Sequence, residues 1–257
     1  MTVHWLITAG ALLQLLSLTP DKAFVTREFD HPSTVVISPW RHPPHAISAW
    51  QVGRAISETG LPDLERTLDA GVPPGVHFVV FDIERWPLTP ASEQRHPVQA
   101  VRKAAQFAHD HGLLLIAAPA TDLIWGLDPA AARREGQYDA FVRSGLARRI
   151  ARFADWYVIQ AERAEGSPGL YHAYVRAVSK QVYAVRPSAV VLGEVETNHA
   201  GHPVSASLLY RDIESTRSAV QGEWLGIPQQ GAYCTDCGEP QPGVAITLLR
   251  RIARDTR

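Results

Sequence analysis

The chain has few of the features that mark specialised classes of protein. It is 257 residues long and has only two cysteines, Cys234 and Cys237, which excludes a fold built on a scaffold of disulfides. No basic stretch is long enough to indicate nucleic-acid binding, no long acidic tail is present, and the formal net charge is −1. The composition therefore predicts a globular protein without a nucleic-acid partner.

Several common catalytic signatures are also missing. No Gly-rich phosphate loop precedes a helix, and there is no Walker pattern. No histidine pair has H-x-x-x-H spacing beside a glutamate, as in zinc hydrolases. Ser38 and Ser92 lack the G-x-S-x-G setting of an α/β-hydrolase nucleophile. These absences argue against a P-loop nucleotide site, a zinc-hydrolase centre and an α/β-hydrolase nucleophile, so a catalytic site would have to use other groups.

The apolar stretch Trp5–Leu18 can be interpreted in two ways. No Lys or Arg precedes it and no clear A-x-A site follows, so a signal peptide is disfavoured. Its short length and Gln14 count against a membrane span. We interpret the start as a first strand and its helix, with the helix capped at Thr19, which predicts a cytoplasmic protein that does not bind membranes. The alternative is a secreted protein in which Met1–Ala23 is cleaved.

Short apolar runs of strand type alternate with helical patterns along the whole chain. The seven runs are His4–Gly10, Thr34–Ser38, His77–Glu84, Leu113–Ala118, Trp156–Glu162, Ala189–Glu196 and Glu223–Gln230. The helical patterns are Thr19–Phe29, a broken stretch from Ala46 to Asp69, Pro97–His111, Gln137–Phe153, Leu170–Val185, Val204–Ser218 and Pro242–Asp255. This alternation predicts an α/β fold with a parallel sheet.

The length and the near-continuous apolar strands favour a TIM-like (β/α) barrel that forms a single domain over residues 1–257. Only seven strands are clear, so the barrel is expected to be irregular or incomplete unless one strand is hidden. The segments around Ser57–Val76 and Tyr233–Gly243 are where an eighth strand would be sought.

The most informative stretch is HFVVFDIE, His77–Glu84. Side chains two apart on a strand share a face, so Asp82 and Glu84 point the same way and Ile83 points the other way. Two carboxylates at the end of a buried strand are unfavourable because of desolvation and mutual repulsion. The pair therefore predicts a function.

Other strands end in similar polar residues. The candidate acids are Asp82, Glu84, Glu162, Glu194 and Glu196, and the candidate substrate-binding residues are Trp40, Arg41, Trp86, Gln160, Asn198 and Gln229. In parallel α/β folds, sites lie beyond the carboxyl ends of the strands, so these side chains are expected to meet. Any one acid could instead cap a helix or pair with an arginine, but five together favour an acidic cleft.

Glycoside hydrolysis is the reaction that this set of residues suggests first. It needs one protonated carboxyl group for the leaving oxygen and a second, ionised carboxylate as nucleophile or base. Crowded acids drive their pKa values apart, and tryptophans offer flat faces to sugar rings. These residues favour an enzyme acting on a small-molecule or oligosaccharide substrate without a cofactor.

The FDIE strand end resembles the D-x-E strand end of chitinase-like and lysozyme-like TIM-barrel glycoside hydrolases. This resemblance implies that Glu84 is the acid/base and that Asp82 orients it. Glu162, Glu194 or Glu196 would then supply the second carboxylate. The fuller D-x-x-D-x-D-x-E pattern is absent, since the residues before Asp82 are Val79, Val80 and Phe81.

Two other functions remain open. The five acids carry the oxygen ligands that Mg²⁺ prefers, and Arg41, His42 and His45 could hold a phosphate or diphosphate. This would suit a Mg²⁺-dependent lyase, cyclase or phosphohydrolase. A non-catalytic barrel that binds carbohydrate would use the same acids and aromatics.

The two cysteines have C-x-x-C spacing, which occurs in zinc knuckles and redox pairs. No second C-x-x-C supplies further zinc ligands, and Gly238, Glu239 and Pro240 follow where a thioredoxin-type motif would begin a helix. The favoured interpretation is a local loop staple, or free thiols, over the mouth of the barrel.

Overall fold

Eight parallel strands close into a barrel. The structure is a computed structural model that describes residues 3–39, 42–199, 201–231 and 234–255. Its strands are β1 His4–Thr8, β2 Thr34–Ile37, β3 Gly53–Glu58, β4 Phe78–Ile83, β5 Leu114–Pro119, β6 Trp156–Ile159, β7 Val190–Glu196, β8 Asn198–His199, β9 His202–Pro203 and β10 Gly222–Gly226. Strands β1 to β7 follow one another around the barrel, and β10 lies between β7 and β1. Strands β8 and β9 form a separate antiparallel pair.

Helices connect the strands and cover the barrel. They are α1 Ala9–Leu18, α2 Lys22–Phe29, α3 Leu61–Asp69, α4 Ala91–Arg95, α5 Pro97–Asp110, α6 Ile124–Leu127, α7 Pro129–Glu135, α8 Gln137–Ser144, α9 Leu146–Ile150, α10 Pro168–Tyr183, α11 Ala206–Thr216 and α12 Pro242–Asp255. Short 3₁₀ turns occur at His45–Ile47, Thr121–Leu123 and Glu162–Ala164. The predicted α/β barrel is confirmed, and of the two alternatives for its eighth strand the hidden strand is the one observed.

The missing strand is β3, which the sequence assigned to the broken helical stretch from Ala46 to Asp69. It pairs in parallel with β2 and β4. Within it only Ala55 and Ile56 are buried, and Arg54 and Glu58 give it a polar character. Its stability comes from its two neighbouring strands rather than from its own composition, so its sequence pattern is weak.

The start of the chain forms β1 and α1 and belongs to the barrel core. Helix α1 was not predicted; it begins after Thr8, whose side chain accepts a hydrogen bond from the N–H of Ala11. Helix α2 begins at Lys22 rather than at Thr19, because Asp21 is the residue that accepts the N–H of Phe24. Among the residues that the structure describes, none of the helices is long and apolar enough to cross a membrane.

Alternation along each strand divides the core into two layers. The interior of the barrel is filled by Leu6, Val35, Ile37, Ala55, Val80, Ile116, Ala118, Val158, Leu192 and Trp224. Because alternate residues share a face, Asp82, Gln160 and Glu194 continue the inward rows of the strands that carry them. Apolar side chains thus fill the interior of the barrel, and polar side chains take their place at the carboxyl ends of the strands.

Candidate functional site

A cleft of about 720 Å³ opens at the carboxyl end of the barrel. Its lining is Thr8, Glu84, Arg85, Trp86, Pro87, Leu88, Asp122, Gln160, Glu162, Arg163, Glu194, Glu196, His199, Trp224, Gly226, Ile227, Pro228, Gln229, Cys234, Thr235, Asp236 and Cys237. Four of the five predicted acids therefore meet in one space. The fifth, Asp82, is hydrogen bonded to the lining residue Gln160.

The loop after β4 is held by a compact hydrogen-bond network around Thr89. The Thr89 hydroxyl accepts the indole N–H of Trp86 at 3.0 Å and donates to the carbonyl of Thr59 at 2.9 Å. Gln94 donates to the carbonyls of both Trp86 and Thr89. The N–H of Arg85 donates to Oδ1 of Asp122 at 3.0 Å. These hydrogen bonds thus fix the position of the Trp86 ring at the cleft, and no ligand is needed to hold it there.

Asp82 and Gln160 form a pair across the inside of the barrel. The Gln160 amide donates to Oδ1 of Asp82 at 2.7 Å and to the carbonyl of Ala118 at 3.0 Å. Because both contacts use the amide nitrogen, the carbonyl oxygen of Gln160 is the atom left to meet a ligand. Gln160 therefore combines the predicted contact to substrate with a second role in orienting Asp82.

Strand β7 carries Glu194 and Glu196 on its inward face. Glu194 is buried, whereas the Glu196 carboxylate is partly exposed and lies 3.3 Å from Nδ1 of His199. The N–H of Glu196 donates to Oε1 of Glu165 at 2.5 Å. A Cβ on Gly226, the partner of Glu196 across the sheet, would lie 2.8 Å from Glu196 Cγ. Glu196 is therefore held from behind by Glu165 and needs glycine at its side.

Burial and crowding make several of these acids hold their protons. Burial, together with the nearby charge of Asp82, raises the pKa of Glu84 to about 10. Burial also raises the pKa values of Asp82 and Glu162 to about 7, with Gln160 opposing the shift at Asp82 and Glu196 adding to the shift at Glu162. The cleft thus contains protonated carboxyl groups at neutral pH.

Glu194 lies deepest among the acids. Burial raises its pKa well above the ordinary range, and the charges of Glu162 and Glu196 act in the same direction. It is 6% exposed, and its neighbour across the sheet is Trp224. A carboxyl group in that position is best described as neutral.

The other predicted contacts divide into three groups. Trp86 and Gln229 line the cleft together with Gln160. Trp40 and Arg41 lie outside the described residues. Asn198 is a correction: it is fully buried, and its amide donates to the carbonyls of Pro228, Cys237 and Glu239. It holds a loop instead of facing the cleft, because three backbone acceptors surround its nitrogen.

The predicted loop staple is confirmed. Cys234 and Cys237 form a disulfide, and both residues line the cleft. Within the described part of the chain, no group of three or more His, Cys, Asp or Glu residues could hold a metal ion. The Mg²⁺ hypothesis therefore stays a prediction for experiment.

Sequence reasoning did not select Asp122, Glu165, His199 and Gly226 as site residues. Asp122 follows a strand and could have been chosen on that ground, since the acids were found in the same way. Burial raises its pKa too, against its hydrogen bond from the N–H of Arg85. Glu165 and Gly226 have no such signal, because their contacts to Glu196 come from packing between strand ends.

No protein-family model matches this chain, and no curated protein matches it. Similar solved structures include a GH128 (subgroup I) endo-beta-1,3-glucanase from Amycolatopsis mediterranei in complex with laminaritriose. It is 12% identical, with a TM-score of 0.46, over 97% of this chain and 99% of that chain.

An active-site mutant of Rhizomucor miehei beta-1,3-glucanosyltransferase, in complex with laminaritriose, is 8% identical, with a TM-score of 0.48, over 95% and 97% of the two chains. Triosephosphate isomerase from Bartonella henselae is 11% identical, with a TM-score of 0.44, over 88% and 92%. Enzymes of sugar chains and an isomerase thus occur together among these structures, and the comparisons do not choose a reaction.

Proposed function

We propose that this protein is a glycoside hydrolase that acts on an oligosaccharide bound across the carboxyl end of the barrel. The observation that carries the proposal is the cleft itself, where the proton-bearing Glu84 and the His199-paired Glu196 face the same space. Glycoside hydrolysis needs two carboxyl groups in opposite protonation states.

Glu84 is the proton donor in this proposal. It lies in the cleft, and its raised pKa keeps it protonated at neutral pH. No group in the described ranges hydrogen bonds to its carboxyl oxygens, so its proton is available to a glycosidic oxygen. Asp82, one inward position below it on β4, adjusts its protonation through charge.

Glu196 is the second carboxylate. Among Glu162, Glu194 and Glu196, it is the one within ion-pair distance of an imidazole, that of His199. Glu194 is too deeply buried to ionise readily, and Glu162 has a pKa of about 7. Glu196 would act as nucleophile or as base toward water. Glu162 would share its proton with the pair formed by Glu196 and His199.

The apolar and polar parts of the lining suit a sugar. Trp86 offers an aromatic face whose orientation is fixed by its hydrogen bond to Thr89. Trp224 forms the floor, and the exposed Gln229 and Leu88 lie at the rim. Clefts that combine apolar surface with a few fixed polar groups are typical of small-molecule sites.

The test is hydrolysis of a panel of neutral oligosaccharides by the wild type and by Glu84→Gln. We expect Glu84→Gln to lower kcat by about 10²–10⁴-fold, because the amide cannot donate the catalytic proton. Proton NMR of the first product would give the anomer and so distinguish retention from inversion.

The matched control is Glu58→Gln. Glu58 also ends a barrel strand, and burial also raises its pKa, but it bonds to Thr67 and does not line the cleft. This variant should keep full activity. Full activity of Glu84→Gln would show that the assignment at β4 is wrong.

Treatment with a chelator distinguishes the glycosidase from the magnesium-dependent enzyme. The glycosidase proposed here should keep its activity after treatment with EDTA. Loss of activity that Mg²⁺ restores would favour the metal-dependent lyase, cyclase or phosphohydrolase instead.

A further inference from the structure

The loop that follows β10 forms one side of the cleft. We name residues 234–237 the cystine wall; its tip, Thr235 and Asp236, is exposed, whereas Cys237 is buried. All four residues line the same cleft as Glu84. Thr235, Asp236 and the disulfide therefore border the space in which a ligand would lie.

A buried amide holds the cystine wall in place. The side-chain nitrogen of Asn198 donates to the carbonyls of Pro228 at 3.0 Å, Cys237 at 2.8 Å and Glu239 at 3.2 Å. These carbonyls come from both ends of the loop. Asn198 is fully buried and follows Glu196 by two residues, so the wall is connected to the end of β7 that carries the proposed second carboxylate.

Two glycines allow the wall to approach the β8–β9 pair closely. Gly201 has φ +75°, and a Cβ there would lie 2.6 Å from the carbonyl oxygen of Asp236. Gly238 has φ +66° and packs against Gly201. The N–H of Gln230 donates to the carbonyl of Gly238 at 2.8 Å, closing the base of the loop. The sequence is thus adapted to hold the wall against its neighbour.

We propose that the cystine wall is a substrate-binding wall of the cleft, with Asp236 and Thr235 contacting sugar hydroxyls, and that the disulfide keeps it in position for binding. The inference rests on the proposed function for the nature of the ligand. The wall has little secondary structure of its own, so a cross-link within it removes conformations that could not bind. Opening the disulfide should weaken substrate binding and leave the chemistry at Glu84 and Glu196 intact.

A dithiol such as dithiothreitol would open the wall. Its thiolate attacks Sγ of Cys234, which is the more exposed of the two residues; the S–S bond breaks, and Cys237 leaves as a thiolate and takes up a proton. The second thiol of the reagent then attacks the mixed disulfide and releases Cys234. The protein gains two thiols, and the reagent is oxidised to its cyclic disulfide.

The experiment compares oxidised and dithiothreitol-treated full-length protein by two measurements. Hydrogen exchange of backbone amides in residues 227–241 measures, without any ligand, how firmly the wall is held in place. Steady-state kinetics on the oligosaccharide selected by the hydrolysis panel measure the contribution of the wall to substrate binding. We expect faster exchange in this segment on reduction, a KM raised by about tenfold, and an unchanged kcat.

Two variants complete the test. The double variant Cys234→Ala with Cys237→Ala should have the raised KM from the start and should not respond to dithiothreitol. Asp236→Ala should raise KM in the oxidised protein without changing loop exchange, because it removes a contact at the tip and leaves the cross-link in place.

The outcomes are distinct from those that test the proposed function. Exchange that does not change on reduction would overturn the inference, whatever the protein hydrolyses. Faster exchange with an unchanged KM would overturn the claim that the wall binds substrate. Failure of oxidised wild type to act on any sugar would contradict the proposed function instead, and the exchange measurement would still decide whether the disulfide positions the wall.

Discussion

Asp212 is a buried acid outside the cleft, and its replacement should stabilise the protein. It lies on α11 and is fully buried, and within the described part of the chain neither carboxylate oxygen has a hydrogen-bond partner. Burial raises its pKa from 3.8 to about 7, against the opposing charge of Arg211. Burial also raises the pKa values of Glu165 and Glu223, and the charge of Asp212 adds to both shifts. Asp212→Asn removes an ionisation that the fold disfavours.

The sign and size of the effect follow from the pKa difference. The folded state binds the Asp212 proton more tightly than the unfolded state, so stability is fully present below about pH 4 and is lost as pH rises toward 7. A difference of about 3 pKa units corresponds to roughly 4 kcal/mol at most. Asparagine leaves a buried amide without a partner, which offsets part of the gain. We expect Asp212→Asn to gain about 1–3 kcal/mol at pH 8 and little at pH 4.

Thermal unfolding at pH 4 and pH 8 measures this difference. For a chain of this size the gain corresponds to a rise in Tm of about 2–10 °C at pH 8. The control is Asp110→Asn, which changes an exposed aspartate at the end of α5 and should shift Tm little at either pH. A loss of stability at pH 8, or an equal gain at both pH values, would refute the argument from burial.

Two further variants probe the geometry of the cleft. Gly226→Ala should lower kcat by about 10²-fold with a small change in Tm, because its Cβ would displace the Glu196 side chain; Gly243→Ala, which meets open space, is the kinetic control, and equal activity of the two variants would contradict the prediction. Gln160→Met should move the ionisation near pH 7 in the kcat/KM profile to higher pH, because it removes the hydrogen bond that lowers the pKa of Asp82; a shift to lower pH would contradict it.

The parts of the site that the sequence predicted are those set by strand geometry. A period of two places Asp82 with Glu84 and Glu194 with Glu196 on the inner face of the barrel, whatever the surrounding structure. Ile83 points outward into the other core layer and is fully buried, as the alternation predicts. Parallel strands then bring these pairs to one end. Both pairs therefore follow from the strand positions of β4 and β7 alone.

The parts that the sequence did not predict depend on contacts between distant elements. Asn198 was expected to face substrate because it continues the row of acids on β7, but the chain leaves the strand after Glu196 and turns the amide toward the loop after β10. Strand β3 was missed because its polar residues hide the strand pattern and its segment was assigned to a broken helical stretch. Glu165 follows the acid at Glu162 by three residues, and only packing reveals that it accepts the N–H of Glu196.

The crowding of acids also bears on the charge of the ligand. Burial raises the pKa values of Glu84, Glu162 and Glu194, and the charges of the neighbouring acids add to each shift, because each ionisation would add a charge to a space that already holds others. A carboxylated or sulfated sugar would add one more negative charge and would compete with Glu196 for His199, whereas a neutral sugar would leave the protons where they are. Arg85 and Arg163 also line the cleft, and their charges oppose the rise that burial causes in the pKa of Asp122, so both already interact with an acid within the site. The electrostatics thus favour a neutral oligosaccharide, and weaker inhibition by an anionic oligosaccharide than by a neutral one of equal length is the behaviour expected of this cleft.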